Sequence, residues 1–133
     1  MILHYSSNKA IHELFQYLSD MQKFTDVHPV IYKAELIGEN EYLIYEKLKF
    51  LMIPFKFTYK AILKNVELDK TVSMYSEVQK GVHLNLRFDF KTLNQKTEIT
   101  ETVEIKANPI TKLILGNTIK RAHRKLFENI EKK

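Results

Sequence analysis

Two carboxylates interrupt stretches that are otherwise apolar on one side. Glu46 stands in line with Tyr42, Ile44 and Leu48, and Glu101 with Ile99 and Val103, each at alternate-residue spacing. In a strand that spacing puts a side chain on its neighbours' face, so a sheet that buries those faces takes the acids with them. A buried carboxylate is costly unless it is paired, hydrogen-bonded or protonated. Two chemistries follow. The acids could be polar anchors that orient a small molecule in apolar surroundings, or proton-exchanging groups whose pKa burial has raised. The plain alternative is a place near a strand end, a bulge or a watered patch. Tyr32, Tyr42 and Tyr59 share the apolar faces and could donate hydroxyls. His28, before Pro29, is the most plausible titrating group. Glu46, Glu101 and His28 are therefore the candidates for catalysis. The five histidines have no metal-ligand spacing, and three scattered glycines make no phosphate loop. No metal and no cofactor is expected.

The elements that must position these residues are legible. Ala10, Ile11, Leu14, Phe15 and Leu18 follow helical spacing after a short strand at residues 2–6, with Ser6 or Ser7 as the cap. Asp20 caps a second short turn. Pro29 holds His28 out of helical geometry. Six strands follow, beginning with Val30, Tyr32, Ala34 and Leu36 on one face. Turns at Gly38–Asn40, Gln79–Gly81 and around Asn94 mark hairpins. Clean alternation implies one buried and one wet face per strand, hence an antiparallel meander. Pro109, with Asn108 as cap, opens a long helix whose stripe is Leu115, Ile119, Ala122, Leu126 and Ile130. Strands and helices are segregated, so the fold class is α+β.

With 133 residues, the chain suits one domain over 1–133, of ordinary globular composition. It has no cysteine, which excludes disulfides and thiol chemistry. No run reaches the roughly 20 apolar residues of a spanning helix, and the start lacks the marks of a secretory signal, so a cytoplasmic location is the default. The net charge of +5 admits an anionic partner. Much of the excess sits at Lys120, Arg121, His123, Arg124 and Lys125, which reads as a solvated helix face. Nucleic acid ranks last as a partner, because the basic segment has no interleaved aromatics and no recognition motif.

AIHELFQYLSDMQKFTDVHPVI, residues 10–31, resembles the first helix, the "LSD" turn and the lead into the second strand of the START-like, or SRPBCC, superfamily. ANPITKLILGNTIKRAHRKLFENI, residues 107–130, resembles its closing helix. The resemblance covers nearly the whole chain. It implies a helix-grip fold: an antiparallel curved sheet of about seven strands, in the order β-αα-β6-α, wrapped around a long C-terminal helix, with a ligand cavity between. The superfamily has no invariant catalytic signature, and it holds both binders and enzymes, among them polyketide cyclases and aromatases.

Set against that implied cavity, the residues expected to touch a ligand are Tyr32, Tyr42, Ile44, Glu46, Leu48, Phe57, Tyr59, Met74, Leu86, Phe88, Glu101, Val103, Leu113, Gly116 and Asn117. Gly116, with Asn117, lies inside the long helix and reads either as room for a ligand beneath it or as a local packing or kink accommodation. The uncharged run Phe50, Leu51, Met52, Ile53, Pro54 and Phe55 reads in three ways: as core, as the gate of the cavity, or as a lip making transient contact with a membrane surface or partner. The leading expectation is a binder of a hydrophobic or amphipathic small molecule (lipid-, isoprenoid- or polyketide-like) for transfer, sequestration or sensing. The alternatives are a cyclase- or dehydratase-like enzyme with a buried carboxylate, and a protein-interaction module with a filled cavity.

Overall fold

The computed structural model describes residues 1–50 and 52–133, Phe50 by its backbone alone. Strand β1 (Ile2–Ser7) leads into helices α1 (Ile11–Ser19) and α2 (Met21–Val27). Six strands follow: β2 (Ile31–Gly38), β3 (Glu41–Phe50), β4 (Ile53–Glu67), β5 (Thr71–Gln79), β6 (Val82–Leu93) and β7 (Lys96–Lys106). Helix α3 (Pro109–Glu131) closes the chain. One seven-stranded antiparallel sheet runs β1-β7-β6-β5-β4-β3-β2.

Local chemistry sets the boundaries. Asp20 accepts from the backbone N–H groups of Gln22 and Lys23 and starts α2. Asn108 accepts from Thr111 N at 2.8 Å, with Pro109 opening α3. Gly81 and Asn94 take positive φ in the hairpin turns. Helix α1 starts later than a serine cap predicts. Its N-cap is Ala10, without a side-chain bond, because Ser7 is committed elsewhere: its hydroxyl donates to Glu131 on α3 and accepts from Lys9 N.

The core lies between the concave face of the sheet and the helices. Ile119, Leu126 and Ile130 of α3 are buried against Phe88, Ile99 and Val103. Asn129 donates to the Val27 carbonyl and ties α3 to the end of α2. Strand β2 departs from simple alternation. A register shift between Ile31 and Lys33 changes its phase, so Ile31 and Ala34 are buried while Tyr32 and Leu36 are exposed.

Candidate functional site

Three groups converge in the sheet–helix space. The first begins at His28. Its backbone is extended, as Pro29 requires, and its ring folds back so that Nδ1 accepts from Val30 N at 3.2 Å and Ile31 N at 3.1 Å. A nitrogen that accepts two backbone N–H bonds has no place for a proton of its own, so the neutral ring carries its proton on Nε2. Burial first, then the neighbouring His123, holds its pKa well below the ordinary 6.5.

The second group is built on β1, β7 and α3. Glu101 is fully buried. It accepts from the Tyr5 hydroxyl at 3.2 Å and pairs with His123 Nδ1 at 2.5 Å. With Nδ1 donating to the carboxylate, Nε2 is the ring position left for other work. The His123 ring stands edge-on to that of His28, centroids 5.8 Å apart. Tyr5 is pushed above its ordinary pKa by burial and by the Glu101 charge, so it is a fixed donor.

The third group is Glu46 with Tyr59, on adjacent strands. The Tyr59 hydroxyl donates to Glu46 Oε1 at 3.0 Å, and its ring stacks on Phe57. Burial raises the Glu46 pKa; the Tyr59 bond and the neighbouring His123 oppose this. Tyr59 is raised well above its ordinary value by burial, then by Glu46.

Between these groups lies a cavity of about 70 Å³. His28, Glu46, Tyr59 and His123, with the hydroxyls of Ser76 and Thr118, supply its polar lining, and Met21, Phe24, Ile44, Met74, Leu84, Leu86 and Ile119 are among its apolar walls. It has room for a few waters and is far smaller than the roughly 300–1,000 Å³ of ligand pockets. Beside it runs an open groove of about 580 Å³ between the start of β2, the end of β3 and α3. Val30, Thr118 and Ala122 wall both spaces.

Of the residues expected to touch a ligand, Ile44, Glu46, Tyr59, Met74 and Leu86 line the cavity, while Leu48 and Asn117 line the groove. Glu101 reaches the cavity only through His123. Phe88 and Val103 are buried in the core. Tyr42 packs against that core, and Phe57 supports Tyr59. Tyr32 is displaced by the β2 bulge to the outer face, where it packs on Tyr45. Leu113 is exposed, and Gly116 lies with it over a shallow depression near Val103 and Ile105. A Cβ on Gly116 would make an ordinary 3.8 Å contact with Ile105. Met52, Ile53 and Phe55 are exposed at the β3–β4 hairpin, and neither they nor Pro54 lines either space. Leu51 and the Phe50 side chain lie outside the described residues.

The basic segment of α3 is not uniformly wet. His123 is only 4% exposed, which corrects its placement on the solvated face. Its spacing held the signal: 119, 123, 126 and 130 form one helical stripe. Among the described residues, no group of three or more His, Asp or Glu could hold a metal ion, and no helix is long and apolar enough to cross a membrane.

The architecture is the START-like helix-grip fold. A START superfamily protein from Mycobacterium smegmatis superposes with a TM-score of 0.74 at 11% identity, covering 99% of this chain and 97% of that one. A conserved protein from Geobacillus kaustophilus gives 0.75 at 18% identity, over 97% and 90%. Zhui aromatase/cyclase from Streptomyces sp. R1128 gives 0.66 at 11%, over 98% and 90%. No protein-family model matches the sequence, and no curated protein matches it either. At such identities the likeness defines the fold and leaves the chemistry to the site.

Proposed function

We propose that the protein binds an amphipathic small molecule between sheet and α3, with part of its apolar body in the cavity and a carbonyl or hydroxyl held by the polar lining. The observation that carries this reading is the convergence of His28, Glu46, Tyr59 and His123 on a largely apolar cavity. A core built only for stability gains little from four polar side chains around a void. The cavity is too small for a whole lipid-like molecule, so binding must widen it. Met21 and Met74 in its walls are unbranched side chains that can repack. Apolar burial would supply most of the affinity, at about 25 cal/mol per Å².

The test is native mass spectrometry of protein purified from its own cells, followed by denaturing release and identification of bound molecules. A stoichiometric adduct is expected, and Ala61→Phe, which fills the cavity from its wall, should lose it. Retention by a folded Ala61→Phe variant would remove the cavity from consideration.

The Glu101–His123 pair favours a second reading, a proton-transfer enzyme. A carboxylate that orients an imidazole through Nδ1 leaves Nε2 as general base, and the Nε2–H of His28 could polarise a carbonyl. Incubating the released molecule with wild type and with His123→Asn tests it. Conversion by wild type alone supports catalysis, and recovery of unchanged ligand from both leaves simple binding.

A further inference from the structure

We infer that the ligand carries an anionic head group, held at the groove by Lys49, Arg121 and Lys125. The inference rests on the binding reading above and adds the charge and the direction of insertion. Among the described residues the groove has three cationic side chains in its lining and no carboxylate. Among the described residues Lys49 and Arg121 form no ion pair. Lys125 reaches Glu128 only at 3.8 Å, with both side chains about half exposed, a weak contact. The surplus extends along the sheet: Lys47 stands directly opposite Lys56 on β4, a like-charge pairing that costs stability. An anion at the groove would offset the mutual repulsion of Lys49, Arg121 and Lys125, which no carboxylate among its described lining residues compensates.

Geometry gives the direction. Between the cations the groove is walled by Val30, Leu48, Ile114 and Ala122 together with Asn117 and Thr118, and Val30, Thr118 and Ala122 also line the cavity. A head group at Arg121 can therefore send an apolar tail inward along Val30 and Ala122, past the one hydroxyl of Thr118, which already donates to the Ile114 carbonyl at 2.9 Å. The reverse orientation would put an anion beside Glu46 and expose the tail among lysines. A free fatty acid or another carboxylate or phosphate amphipath has the required form. A guanidinium and two ammonium groups suit either anion.

Calorimetric titration with dodecanoate, dodecanol and dodecyltrimethylammonium, each below its micellar concentration, tests the inference. Dodecanoate should bind most tightly. Charge reversal by Lys49→Glu with Arg121→Glu should weaken it on the order of tenfold while dodecanol affinity is unchanged. Raising salt should weaken dodecanoate binding to wild type and leave dodecanol unaffected, a readout that needs no variant. Equal affinities for dodecanoate and dodecanol, or indifference to both salt and charge reversal, would overturn the anionic head while leaving the cavity reading intact. Failure of all three to bind would overturn both. Sedimentation with phosphatidylglycerol vesicles without binding of monomeric dodecanoate would instead assign the cations to a membrane surface.

Discussion

Two tyrosine–glutamate pairs stand on opposite halves of one sheet, one around a buried carboxylate and one half-buried, and they are finished differently. Glu101 is closed off: Tyr5 takes one oxygen, His123 the other, and no surface of the carboxylate is accessible. Glu46 takes one bond from Tyr59 and faces a cavity. The first pair spans β1, β7 and α3, whereas the second lies within neighbouring strands. A fully satisfied carboxylate fixes geometry, and one with spare acceptor capacity can meet a guest. The difference separates the group that positions from the group that binds.

The comparison breaks most visibly if Glu101 is removed. Glu101→Ala leaves His123 and Tyr5 without their shared partner and should cost about 3–5 kcal/mol in urea unfolding, the range for dismantling a buried pair. A loss near that of Glu46→Ala would erase the distinction. His28→Ala, which deprives two backbone N–H groups of their acceptor, should cost about 1–3 kcal/mol. The pH dependence has a definite sign. His28 is held below 6.5 in the folded protein, so the unfolded chain takes the proton first as pH falls. Its contribution is complete above about 6.5 and is lost progressively below. His28→Asn, which keeps an acceptor near the Nδ1 position, should flatten that acid loss; an unchanged slope would assign it elsewhere.

Gly116→Ala sharpens the comparison from the helix side, because α3 carries His123 while Glu46 and Tyr59 belong to the sheet. The added methyl meets only Ile105, at ordinary distance, so thermal unfolding should show a gain of about 1 kcal/mol. A loss would mean that the glycine is needed for the path of α3. The smallest effect is expected for Glu46→Gln. Burial raises the Glu46 pKa, so its contribution is present below 4.5 and is lost as pH rises through the folded value. The variant should match wild type in acid and gain on it as pH rises. A variant that falls behind instead would make Glu46 a structural carboxylate like Glu101.

The strands and the closing helix were readable from period and caps, and so were the two acids, since parity alone put Glu46 and Glu101 inside. Tyr32 escaped because a bulge shifts phase, and one extra residue between Ile31 and Lys33 carries no mark in composition. His123 was readable in spacing but lay among Arg121, Arg124 and Lys125, and charge count outweighed periodicity. The Glu101–His123 bond links residues 22 apart in sequence through a tertiary crossing, which no local pattern encodes. Cavity size was equally hidden, because it depends on how Met21, Met74 and Leu86 pack together.

Strand β1 pairs with β7, setting Ile2 opposite Thr102. A ribosome must therefore deliver β2 to β6 before the first strand meets its neighbour, and α3 emerges later still. Until then the concave face of the meander, with Phe88, Ile99 and Val103, is an open apolar sheet beside an unsatisfied edge. Folding should be slow for the chain's size, and a truncated product lacking residues 109–133 should be a chaperone client or an aggregate rather than a weakened binder.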